Sequence, residues 1–166
     1  MILAFDTFYK DDAAKTIGIL FRNWSDEHPA AVLTDIMFPV AAYVPGAFYK
    51  RELPCILQLL QQADLDAIEI MIIDGYVVLD DAGTPGLGGY LYEQLQQRIP
   101  VIGVAKTRFA NNHVHVAEVL RGASKNPLFI TAAGIDLPVA AQHIKDMYGE
   151  YRMPALLKQL DGLTRG

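Results

Sequence analysis

The 166-residue sequence holds one cysteine, Cys55, and no surplus of positive charge. A lone thiol excludes an internal disulfide and a zinc cage built from thiolates, and its place in the apolar stretch LPCILQLL marks it as a buried structural group. No segment approaches the roughly 18 apolar residues of a membrane span. The first residues lack the charged opening and small-residue cleavage site of a secretory signal, so the expected location is cytoplasmic. Fourteen Lys and Arg against 19 Asp and Glu leave a net charge of −5, which argues against sequence-blind adhesion to polyanions through a broad basic surface. Internal repeats, low-complexity tracts and dividing linkers are also missing, which implies a single domain over residues 1–166. With 52% hydrophobic and 20% charged residues, the chain has the material for a sizeable core.

What is present is a succession of apolar runs and polar breaks. ILAFDTFY, KTIGILFR and AAVLTDIMF read as three strands, the first buried on both faces because it hardly alternates; the short links DDAA and NWSDEHP suggest an antiparallel meander. FYKRELPCILQLLQQ sets Leu53, Ile56, Leu57 and Leu60 at helical spacing, and Pro54 requires a bend or a start between about Gly46 and Glu52. AIEIMIID, PGLGGYLYEQLQQR and PVIGVAK follow as strand, helix and strand, a βαβ unit with parallel strands. LFITAAG reads as a further short strand, VAAQHIKDMYG as an amphipathic helix ending at Gly149, and PALLKQLDG as a short last helix opened by proline.

Asp6 and Asp74 close the runs ILAFD and IEIMIID, and Glu52 sits between them in YKRELP. A carboxylate at the end of a buried strand loses hydration and persists where a cation, a basic partner or hydrogen bonds compensate. Two acids on neighbouring strands repel each other, and a divalent cation such as Mg²⁺, which prefers hard oxygen ligands, turns that repulsion into coordination. The plain alternative for either aspartate is a cap on the following turn. The order of elements resembles the ribonuclease H-like fold: an α/β mixed sheet of three antiparallel strands then parallel strands, in the order 3-2-1-4-5, flanked by helices. There the first and fourth strands are neighbours, so Asp6 and Asp74 would share a metal cluster that Glu52 enters from the helix after the meander. Two cations on the order of 4 Å apart would then activate the water and stabilise the leaving oxygen of a phosphodiester.

In detail the chain resembles the endonuclease V family. FDTFY, YVPGAFYKRELP, IDGY, PVIGVAKT and NPLFITAAG carry the resemblance, with a weaker echo in EYRMP, from residue 5 to about residue 154. That family cleaves DNA or RNA on the 3′ side of a deaminated purine, hypoxanthine in particular, with Mg²⁺ or Mn²⁺. The resemblance implies that Asp6 and Asp74 bind metal with Glu52 as the third acid, and that Lys106 in GVAKT is the active-site lysine. Tyr43, Val44 and Pro45 match the wedge that replaces an extruded base. Gly46, Gly75 and Gly103 match glycines beside the flipped base, and Leu87 matches a pocket-lining residue. Turn formation, strand-end snorkelling and loop anchoring are the structural alternatives for these residues.

The chain also departs from the family pattern. Asp80 stands where a histidine is expected, Ala42 where proline is common, and Ile135 in place of a second histidine, with Asp136 next. Asp136 is therefore the candidate fourth ligand, its alternative being the cap of a helix that begins near Leu137. His113 and His115 in NNHVHVAE alternate as on a strand, but a hairpin or loop edge fits them better than a metal pair. GTPGLGGY lacks the GK[ST] ending of a phosphate loop. The expected protein is a metal-dependent endonuclease with nucleic acid as partner and no membrane association. Its rivals are a diverged nuclease of the same fold with another substrate and a noncatalytic nucleic-acid-binding module.

Overall fold

The computed structural model describes residues 1–45, 47 and 49–166. Strand β1 (Ile2–Lys10) runs through the middle of the molecule, and its composition explains why. Ile2 and Ala4 point into one core while Leu3 and Phe5 point into another, so both alternating sets are apolar. On one side β1 pairs antiparallel with β2 (Ala13–Phe21), which pairs antiparallel with β3 (Ala31–Met37). On the other side it pairs parallel with β4 (Ile70–Asp74), which pairs parallel with β5 (Val101–Ala105). The order 3-2-1-4-5 is thus the observed one, and the sheet continues beyond it. Strand β7 (Leu128–Ala133) lies antiparallel to β5, and β6 (Ala117–Val119), a short strand not expected from the sequence, pairs antiparallel with β7.

Helices cover both faces. Helices α1 (Tyr49–Leu60) and α2 (Leu87–Gln94) bury Ile56, Leu59, Leu60 and Leu91 against Leu3, Phe5, Met71 and Ile73. Helices α3 (Leu137–Asp146) and α4 (Ala155–Arg165) bury Ala140, Ile144, Leu156, Leu157 and Leu160 against Ile2, Ala4, Ile72, Ile102 and Val104. Pro54 lies inside α1 on its exposed side, where the hydrogen bond it cannot make to the Lys50 carbonyl leaves that acceptor close to solvent. Helix α3 stops at Asp146, ahead of the expected Gly149, and α4 extends the short helix expected at PALLKQLDG as far as Arg165.

The parallel core of the sheet positions the candidate site. Ala4 pairs with Ile72, and Ile72 with Ile102, so Asp6 and Asp74 emerge at the same level two residues later. Asp74 pairs with Val104, and Lys106 follows two residues on. Because alternate strand residues share a face, all three side chains point to the face covered by α3 and α4. No helix among the described residues is long and apolar enough to cross a membrane.

Candidate active site

Helix α4 closes the face onto which Asp6, Asp74 and Lys106 project. Its apolar stripe of Leu157 and Leu160 continues, at helical spacing, into Asp161 and Thr164. Asp6, Asp74, Lys106 and Asp161 therefore line one small cleft, with Ile72, Val104, Met153 and Leu157 as its apolar walls. The Thr164 hydroxyl lies 3.3 Å from Asp6 Oδ2 and 2.7 Å from the Asp161 carbonyl. Asp161 Oδ1 accepts from Arg165 Nε at 3.2 Å, and Asp6 Oδ1 accepts from the Thr7 N–H at 3.0 Å.

Glu52 reaches the same strand ends from α1, on the opposite face. Burial first, then repulsion by Asp74 and Asp6, pushes its carboxyl up to about 8, with Arg51 acting the other way. Asp6 is pushed up to about 6, by burial, then by Asp74 and Asp161, against the hydrogen bonds from Thr7 and Thr164. Asp74 is solvent-exposed, yet the crowded cleft still withdraws hydration and raises it; Lys106 offsets this and Asp161 adds to it. The acids feel one another, but among the described residues no three of them converge tightly enough to enclose an ion.

Two cations border the acids. The exposed Lys106 has its backbone fixed: Arg152 donates to the Lys106 carbonyl at 2.6 Å and to the Pro127 carbonyl at 2.7 Å. The Tyr76 hydroxyl donates to the next carbonyl, Thr107, at 2.7 Å and accepts from the Phe109 N–H at 3.0 Å. On the α1 side, the Arg51 guanidinium lies 3.7 Å over the Tyr9 ring. Its Nε and the Tyr9 hydroxyl are buried without a hydrogen-bond partner among the described residues.

The remaining candidates separate. Tyr43, Val44 and Pro45 are exposed in the irregular segment before α1; Gly46 lies outside the described residues. Gly75 follows Asp74 with φ +112°, a left-handed backbone that suits glycine, and the space beside it is open. Gly103 is enclosed instead: a Cβ there would meet the Gly75 carbonyl at 2.6 Å and Thr131 Oγ1 at 2.7 Å, so close packing of the turn after β4 accounts for it. Leu87, half-buried, opens α2 and packs on the α1/α2 core. The Asp80 carboxylate accepts from the Thr84 N–H at 3.0 Å and so closes its own turn. His113 and His115 lie in a loop ahead of β6, with His113 Nδ1 2.9 Å from Asp81 Oδ2.

Asp136 is not part of the group. Strand β7 runs antiparallel to β5, with Ala133 opposite Val101, so its end lies at the start of β5 while Lys106 follows the other end. The length of β5 separates the two ends by roughly 13 Å at about 3.3 Å per residue. Asp136 instead precedes α3 as its N-cap residue, without a side-chain capping bond. The fourth acid in the cleft is Asp161, which the sequence reading missed. Its available signal was an acid in line with Leu157 and Thr164 on the inward stripe of the last helix.

A mixed sheet of this order, with carboxylates at the ends of adjacent parallel strands, is the frame of ribonuclease H-like nucleases. Within that class, the family model of endonuclease V matches residues 1–121, and the chain belongs to the endonuclease V family. A search of curated proteins finds no match. Among solved structures, the chain is similar to Ciona intestinalis endonuclease V in complex with a 24mer DNA containing an inosine followed by a ribo-adenosine. That likeness has TM-score 0.79 and 17% identity, covering 99% of this chain and 84% of that one. It is also similar to human ENDOV (TM-score 0.74, 21% identity, 99% and 82% covered) and to Bacillus subtilis endonuclease V (0.71, 17%, 99% and 78%).

Proposed function

We propose that this protein is a divalent-metal-dependent endonuclease that hydrolyses a phosphodiester bond on the 3′ side of a deaminated purine, hypoxanthine, in DNA or RNA. The observation that carries this reading is the gathering of Asp6, Asp74, Asp161 and Lys106 around one cleft, with Glu52 at the same strand ends. Four carboxylates make a hard oxygen donor set that suits Mg²⁺ or Mn²⁺. The raised Asp6 and Glu52 carboxyls fit the same reading, since positive charge is what would hold them ionised. Asp6, Asp74 and Asp161, with Glu52, would hold the metal once a cation drew them together, since as they stand no three of them among the described residues converge on one point. When bound, the metal polarises the scissile phosphate and activates the attacking water.

The chain's own groups do the rest. Lys106 supplies a compact positive charge for the phosphate oxygens, and the two backbone bonds beside it fix the point from which its side chain extends. Tyr43, Val44 and Pro45 are exposed as a wedge must be, and Gly75 leaves backbone open to an extruded purine. The inosine-containing DNA bound to the Ciona protein supports the choice of base.

The test is cleavage of matched DNA and RNA oligonucleotides carrying hypoxanthine or adenine, with Mg²⁺, Mn²⁺ or chelator. Metal-dependent cutting on the 3′ side of hypoxanthine alone is the expected result. Cutting without hypoxanthine preference supports a diverged nuclease of this fold, a reading favoured by Asp80, which turns into its own loop where the family has a histidine. Binding without cutting supports a noncatalytic module.

A further inference from the structure

Beyond the cleft, the α4-facing side of β1 continues past Asp6 to Phe8 and Lys10, because alternate residues share a face. Lys15 pairs with Phe8 across the hairpin, and Ile36 with Lys15, so both stand on that same side. With Arg165 from the end of α4 they line an open groove. Ile36 is 62% exposed and Lys10 and Arg165 are exposed, so this stretch of sheet is open to solvent. Thr164 stands between the two spaces: it lines the groove and its hydroxyl lies against Asp6. The groove thus adjoins the acid cleft.

Its chemistry is unlike that of the chain as a whole. Three cations face it in a protein of net charge −5, and among the described residues no acidic side chain is in its walls; Asp11 and Asp12 sit at the hairpin tip beyond it. Arg165 lies over the Phe8 ring, 5.8 Å from its centroid, while its Nε holds Asp161. Lys15 donates to the Gly166 carbonyl at 2.9 Å, and Lys10 has no ion pair among the described residues. Cations interleaved with an aromatic ring and an aliphatic side chain suit a nucleic-acid strand, phosphates against the former and bases against the latter.

We propose that this groove is a single-strand binding track that receives the nucleic acid on one side of the cleaved bond, with Lys10 and Lys15 on backbone phosphates. The proposal rests on the nuclease reading of the cleft. From Asp6 to Lys10 the track spans roughly 13 Å, four steps of a strand. The experiment measures binding of single-stranded oligonucleotides bearing one central hypoxanthine, by fluorescence anisotropy in chelator across a salt series, for wild type, K10Q/K15Q and the control K125Q/K145Q. Melting temperatures verify that each variant is folded.

The expected result is a Kd raised on the order of tenfold at 0.1 M salt for K10Q/K15Q, and a salt slope smaller by about 1.4, at about 0.7 for each phosphate that is no longer neutralised. The control should match wild type. Trimming the oligonucleotide from one end should abolish the difference between wild type and K10Q/K15Q, whereas trimming from the other should preserve it. An unchanged slope, or equal loss from both ends, would overturn the track. Wild-type cleavage of the full oligonucleotide with Mg²⁺ or Mn²⁺ separates the two readings. If wild type cuts but the slopes agree, only the track falls, and if wild type neither binds nor cuts, both fall.

Discussion

Two regions of this protein hold charge out of water, and they do so in opposite ways. Arg121 is 5% exposed, and its guanidinium donates to the carbonyls of Lys145, Met147, Gly149, Tyr151 and Arg152, tying down the connection between α3 and α4. Its donors meet acceptors. At the strand ends, the half-buried Asp6 and Glu52 and the exposed Asp74 lie near one another with few donors, and their carboxyls are driven upward by burial and repulsion. Arg121 shows how this fold satisfies a buried charge when the purpose is structural. The acids keep their mutual repulsion, as a site that awaits a positively charged visitor would.

Neutralising a charge in each region should therefore have opposite consequences. D74N and D161N should each lower metal-dependent cleavage at least about 10³-fold, or about 4 kcal/mol of transition-state stabilisation, while leaving the metal-free melting temperature equal or higher. Single-turnover kinetics and calorimetry check both halves, and a D74N enzyme that cuts normally would end the site assignment. R121M should do the reverse: about 3 kcal/mol of stability lost through orphaned carbonyls, and a melting temperature lower by roughly 6–12 °C in calorimetry.

Proton linkage separates the two regions further. Asp6 and Glu52 have folded values near 6 and 8, above their ordinary 3.8 and 4.5, so the folded state binds protons more tightly there. Their contribution is complete below about pH 4 and is lost as pH rises through 6 and then 8. Metal-free protein should therefore melt a few °C higher at pH 5 than at pH 8.5, and Mg²⁺ at the higher pH should restore the difference. A flat profile in a pH-resolved melting series would deny that the acids repel. T164V, which removes the hydroxyl beside Asp6, should cost about 1 kcal/mol in chemical denaturation. D136N should change stability by less than about 0.5 kcal/mol and leave cleavage at the wild-type rate, since that residue sits at the other end of the sheet.

Much of this arrangement is legible in the residues themselves. The unalternating ILAFD and IMIID runs identify β1 and β4 as central strands, and their terminal aspartates follow from parallel pairing. Asp136 misled because its assignment needs the direction of β7, which no residue of LFITAAG encodes. The connection from Lys106 to Pro127 holds a clue: it contains no helix, and parallel neighbours are usually joined by one. Asp161 escaped because an acid near the end of an amphipathic helix reads as solvated until the stripe is followed past Leu160. Gly103 illustrates the converse, a glycine whose tertiary neighbours, Gly75 and Thr131, account for it.

The mixed direction of the strands has a practical side. The candidate site lies where β1, β4 and β5 finish, whereas the turn between α2 and β5, with Gln96 and Gln97 at φ 58° and 57°, sits where β5 begins. A reporter, a bead or a second enzyme grafted at that turn would hang from the back of the molecule, leaving its working edge turned outward toward whatever strand is offered to it.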